Sequence, residues 1–105
     1  MLKKFKKILG LGPDVDYAKL VKHGAVILDV RSKGEYATGH IPGSINISVD
    51  TLGNNVDRIR NLQKPIIICC ASGVRSSRAK SLLQHNQVDN VYDGGSWSHL
   101  QSKIK

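Results

Sequence analysis

Between Pro65 and Leu83 the chain carries Ile66-Ile67-Ile68-Cys69-Cys70, then Ala71-Ser72-Gly73-Val74-Arg75, then a segment in which Ala79, Leu82 and Leu83 recur at helical spacing. An unbroken Ile-rich run, opened by a proline and too short for a helix, predicts a strand buried on both faces, as at the centre of a parallel sheet. The glycine-containing loop and the periodic segment beyond it predict the order strand, tight loop, helix. Together with the alternation of strands and helices along the rest of the chain, a strand covered on both faces points to an α/β fold with helices on both sides of the sheet.

The same order carries chemistry. A loop between a buried strand and a helix N-terminus gathers several backbone N–H groups in one small volume, and the helix dipole adds positive potential there. A cysteine opening such a loop is expected to be held as thiolate, its pKa lowered from about 8.5 into a range of roughly 3.5 to 7.5. Cys70 has that position. Cys69, one residue inside the strand, is expected to be a small buried apolar side chain. Gly73 lets the backbone turn and brings N–H groups close to the sulfur. Arg75 closes the loop with a cation, and Arg78 adds a second charge one helical turn further on.

These residues resemble a known family. Cys70-Ala71-Ser72-Gly73-Val74-Arg75 is similar to the six-residue active-site loop of rhodanese-like sulfurtransferases, Cys-x-x-Gly-x-Arg after a central strand. Two further stretches resemble the family in the expected order. The first is Leu28-Asp29-Val30-Arg31 with Glu35 and Gly39-His40-Ile41-Pro42-Gly43-Ser44-Ile45-Asn46; the second is Asp93-Gly94-Gly95 followed by Trp97. The resemblance implies a rhodanese-like α/β fold: a central, mostly parallel sheet with helices on both faces, in a single domain. The resemblance covers about Val15 to Leu100; a domain over residues 13–105 is expected, preceded by a basic amphipathic segment over residues 1–12 that lies outside it. The resemblance also implies that Asp29 and Arg31 support the site, with Asp29 paired to Arg75 or to Arg31.

Composition sets the outer limits. With 105 residues, 40% of them hydrophobic, the chain suits one ordinary core and no second domain. Sixteen Lys and Arg against eight Asp and Glu give a formal charge of +8, which favours small anions as partners through the long-range field. Neither nucleic acid nor any cofactor is expected. Adjacent cysteines provide no disulfide framework, so a reducing compartment, the cytoplasm, is expected. His23, His40, His85 and His99 have no ligand spacing, and no metal site is expected. In the N-terminal segment Leu2, Phe5, Ile8 and Leu9 share one helical face and lysines take the other. Contact with an anionic membrane surface is one reading of it; packing of the apolar side on the domain is preferred, since one short basic turn anchors weakly.

The rest of the chain alternates. Asp16 is expected to cap a helix from Tyr17 to His23 that Gly24 ends, before a strand over Ala25 to Val30. Ser32 and Glu35 have the spacing of a capping box, so Glu35 is expected to cap rather than react. His40 is expected to be structural, because a thiolate already ionised by its loop needs no general base. A short strand at Ile45 to Ile47, a helix near Asn54 to Asn61, a helix from Ser76 to His85 and a strand over Val88 to Tyr92 follow. Asp93-Gly94-Gly95 is expected to turn the chain, and Ser96 to cap a last helix with Trp97 as a core residue at the sheet edge.

The chemistry expected is sulfur transfer. The Cys70 thiolate takes a sulfane sulfur from thiosulfate, a polysulfide or a persulfide, loop N–H groups from Ala71, Ser72, Gly73, Val74 and Arg75 hold the resulting anion, and cyanide, a thiol or an acceptor protein removes the sulfur. Two other readings remain: a persulfide carrier serving one protein partner, and a phosphatase or arsenate reductase whose Cys-x5-Arg loop would begin at Cys69. The latter count places Gly73 one position late.

Overall fold

The structure, a computed structural model, describes residues 15–105; the basic segment at residues 1–12 lies outside them. Four strands, β1 (Val26–Asp29), β2 (Ile45–Asn46), β3 (Ile66–Cys70) and β4 (Val91–Ser96), form one sheet in the order β2-β1-β3-β4. Every pairing is parallel. The central strand is the Ile-rich run, buried along its whole length.

Among the described residues five α-helices connect and cover the sheet: α1 (Tyr17–Lys22), α2 (Lys33–Thr38), α3 (Val56–Leu62), α4 (Val74–His85) and α5 (Trp97–Ile104). Alternation along β3 separates two cores. Ile66, Ile68 and Cys70 pack with Val56 and Ile59 of α3 and Ala79 and Leu83 of α4. Ile67 and Cys69 face the other way, against Leu100 of α5 and the half-buried Tyr17, Leu20 and Trp97. The two adjacent cysteines therefore point into different layers.

Local signals explain most boundaries. Asp16 accepts a hydrogen bond from Lys19 N–H at 3.0 Å to cap α1, and Ser96 accepts from His99 N–H at 3.4 Å to cap α5. Ser32 and Glu35 form the full capping box on α2. A 3-10 turn at Leu52–Asn55 precedes α3, which runs two residues later than the apolar spacing suggested at its start.

Two expectations fail at the carboxyl edge. The helix after the Cys70–Gly73 loop starts at Val74, not Ser76, because Gly73 completes the turn with φ +100° and opens the helix directly. Asp93-Gly94-Gly95 is strand, not turn: β4 begins at Val91, and Val88 instead donates its N–H to Leu83 O at the end of α4, 2.9 Å. Gly94 fits there because it lacks a side chain. A Cβ at that position would stand 3.0 Å from Ile67 Cγ2, Ile68 O and Leu100 Cδ2.

Candidate active site

The carboxyl ends of β1, β3 and β4 converge on the loop after Cys70, the edge at which open parallel sheets hold their sites. Cys70 ends β3 with no exposed surface. Its Sγ accepts the Gly73 N–H at 2.9 Å, curling the loop around the sulfur. Burial alone would push the thiol up; the polar groups of Ser76, Gly73 and Ser72 around the sulfur outweigh it and hold the thiol below its ordinary value. Around this sulfur, Ala71, Ser72 and Val74 are exposed and Gly73 is half-buried.

Cys69 is the opposite case. It is fully buried on the α1 and α5 side, and burial, reinforced by the Asp29 carboxylate, pushes its thiol up to about 12. A Cys-x5-Arg loop built on Cys69 would place its nucleophile inside the core.

The two arginines have separate partners. Arg31 grips Asp29 through Nε, 3.0 Å from Oδ1, and Nη2, 2.8 Å from Oδ2. It also donates to the carbonyls of Glu35 at 3.2 Å and Gly39 at 2.7 Å. Its guanidinium lies 4.8 Å from the ring centroid of Trp97, so Trp97 sits over a buried cation as well as the core. This settles the partner of Asp29: it is Arg31. The pair, nearly inaccessible to solvent, ties the end of β1 to α2 and the Gly39 turn. Asn46 adds to the knot, donating through Nδ2 to Asp29 O at 3.0 Å and Arg31 O at 2.9 Å.

Arg75 instead pairs with Glu35 through both nitrogens, 2.6 and 2.8 Å. Glu35 thus caps α2 and holds the loop arginine at once, and Arg75, then Ser32, keep its carboxyl well below the usual carboxylate range. The cap was legible in the spacing; the ion pair across 40 residues was not. His40 stacks on Tyr36 with centroids 3.7 Å apart and bonds the Tyr36 carbonyl through Nδ1 at 2.8 Å, a structural arrangement. Sequence reasoning missed Ser76 and Asp93. The Ser76 hydroxyl lies 2.7 Å from Asp93 Oδ1 beneath the loop. The sequence marked Ser76 only as the first residue of a helix, and Asp93 only as part of a turn. Among the described residues no cluster of His, Cys, Asp or Glu has the geometry of a metal site, and no helix is long and apolar enough to cross a membrane.

A parallel α/β sheet with a cysteine-initiated, glycine-containing loop at its carboxyl edge defines the class, and the comparisons define the family. The rhodanese-like domain family matches residues 14–99, and the chain belongs to it. The uncharacterized protein YqhL of Bacillus subtilis is 35% identical over 82 residues, 77% of this chain and 64% of that protein, so the chain spans just under two thirds of this relative. Thiosulfate sulfurtransferase GlpE of Pseudomonas fluorescens is 31% identical over 96 residues, covering 90% of this chain and 84% of that one. The structure of human single-domain sulfurtransferase TSTD1 superposes with a TM-score of 0.66 at 27% identity, covering 83% of this chain and 90% of that one.

Proposed function

We propose that this protein is a rhodanese-type sulfurtransferase that works through a persulfide on Cys70. One observation carries the reading: the Cys70 sulfur sits at the focus of the loop, accepting the Gly73 N–H at 2.9 Å. Named relatives of the same family, one a thiosulfate sulfurtransferase, support it. The Cys70 thiolate attacks the outer sulfur of the donor. The donor's S–S bond breaks, and the leaving group, a sulfite or a thiolate, departs with that electron pair. The new anion, Sγ–S⁻, is held by N–H groups of the loop from Ala71 to Arg75. A thiol or cyanide then attacks the outer sulfur, the Sγ–S bond breaks, and Cys70 returns as thiolate. Asp29 and Arg31 support the site by fixing the ends of β1 and α2.

Donor choice follows from Arg75. The loop's own cation is already matched by Glu35, so little positive charge is left for a dianion. A singly charged persulfide is therefore preferred over thiosulfate. An acceptor protein fits the same cycle as the final thiol, in the reducing cytoplasm where such thiols persist.

Steady-state kinetics with cyanide as acceptor test the cycle. Parallel double-reciprocal lines as donor is varied are expected, with a higher kcat/KM for a persulfide than for thiosulfate. Intersecting lines would exclude a covalent sulfur intermediate.

A further inference from the structure

The loop cation is matched by Glu35, so a charged acceptor must find its counter-charge elsewhere. Lys33 and Arg58 supply it. Both are exposed, and among the described residues neither has an acidic partner, the ion pairs there using Arg31, Arg60 and Arg75. They line one cleft of about 530 Å³ between the start of α2, the end of β2 and α3. That volume suits a small organic molecule. Asp50 is the one acid on its wall, so two cations face one carboxylate. The two lining amides are turned inward: Asn46 Nδ2 is spent on the Asp29 and Arg31 carbonyls, and Asn55 Nδ2 on Thr51 O at 2.9 Å. Recognition of an anion there falls to the two cations. The cleft also lies on the side of the sheet that Cys70 faces. Val49, Leu52, Val56 and Ile59, interleaved with its lining residues, share one core layer with Cys70. It opens at the same carboxyl edge beside β2, two strands from β3, and two spacings of about 4.8 Å put it roughly 10 Å from the sulfur.

We propose that this cleft binds the carboxylate of a small peptide-like thiol whose sulfur reaches Cys70, with Lys33 and Arg58 as the residues that select it. The proposal rests on the reading of Cys70 as the persulfide sulfur and names the acceptor class that removes its outer sulfur. The acceptor gives its thiol proton to water and attacks that sulfur as a thiolate. A new S–S bond forms, the Sγ–S bond breaks, and its electron pair returns to Cys70. A span of roughly 10 Å corresponds to about three residues of extended chain. A carboxylate three residues from the thiol therefore bridges both sites, and one beside the thiol does not.

The test compares two acceptors on the full chain with one persulfide donor: the peptide acetyl-Cys-Gly-Gly-Glu-amide and its Gln counterpart. In the wild type kcat/KM for the Glu peptide should exceed that for the Gln peptide by about fivefold, the worth of exposed ion pairs. In Lys33→Gln/Arg58→Gln the ratio should approach 1. Each comparison is a ratio within one variant, so a general loss of activity does not imitate the effect. Equal kcat/KM for the two peptides in the wild type, or a preference that persists in the double variant, overturns the proposal. A second arm needs no sulfur transfer. In Cys70→Ser the backbone amide NMR signals of Asn46, Thr51 and Asn55 should shift on titration with the S-methylated Glu peptide and stay in place with the Gln peptide. Equal shifts with both, or none with either, overturn the proposal. If the wild type accepts no sulfur while the Glu-selective shifts appear, the transfer reading fails and the cleft stands as an anion site.

Discussion

Cys69 and Cys70 are neighbours on one strand and differ in almost everything that matters chemically. Both are buried. Cys69 points toward α1 and α5, where only apolar packing and the Asp29–Arg31 pair surround it, and its thiol is pushed up to about 12. Cys70 points toward α4, where burial raises the thiol and the loop and Ser76 bring it back below its ordinary value. Burial therefore does not decide which way a thiol's pKa moves; the polar groups on one side of the sheet do. A one-residue slip of β3 would exchange the two layers and remove the site.

The contrast can be sharpened by titration. In the native chain at neutral pH, iodoacetamide should modify Cys70 far faster than Cys69, because the Cys70 thiol is held below its ordinary value while that of Cys69 is pushed up to about 12. Peptide mapping after partial alkylation reads the ratio, and comparable labelling would break the contrast. The next effect belongs to the support beneath the site. Arg31→Met leaves the Asp29 carboxylate buried without its partner and is expected to cost about 3–5 kcal/mol in denaturant unfolding; a loss below about 1 kcal/mol would mean that the pair is not what holds the end of β1.

Stability against pH separates the cysteines by sign. A thiol held up in the folded state keeps its proton where the unfolded chain has lost it. Stability therefore falls as pH rises from about 9 toward 12 on account of Cys69, by up to about 1.4 kcal/mol per pH unit. Cys70, held low, acts oppositely: its contribution is present above the ordinary thiol value near 8.5 and is lost as pH falls through its lowered folded value. Cys69→Ala should therefore flatten the alkaline limb of a pH–stability profile, and a limb as steep as before would refute the assignment.

The smallest expected effect tests donor choice. Glu35→Gln retains the capping box, since glutamine serves in it as well, but leaves Arg75 without its counter-charge. KM for thiosulfate should fall severalfold while KM for a persulfide hardly changes. Equal changes for both donors would show that Arg75 does not discriminate by charge.

The sequence made the fold and the loop that opens at Cys70 legible for a shared reason. Strand, loop and helix from Pro65 to Leu83 are local and dense with signal, and the alternation of Ile66, Ile67 and Ile68 into two layers follows from strand geometry alone. The long-range pairs were not legible. Asp29 could have met Arg31 or Arg75, because both arginines are within reach of the same sheet edge; four hydrogen-bond acceptors around Arg31 chose it. Glu35 was visible only as a cap because the capping box accounts for it completely at short range. Asp93-Gly94-Gly95 looked like a turn since two glycines ordinarily punctuate strands. Here Gly94 is required by the close packing of Ile67, Ile68 and Leu100, and Gly95 takes φ +77° at the end of the same strand.

The central claim is that one sulfur, on Cys70, becomes a persulfide. Intact-protein mass spectrometry after brief exposure to polysulfide, on the wild type and on Cys69→Ser and Cys70→Ser, tests it most directly. The wild type and Cys69→Ser should each gain the mass of one sulfur atom, which cyanide then removes, while Cys70→Ser gains none. A cyanide-labile gain that persists in Cys70→Ser, or no gain in the wild type, would contradict it.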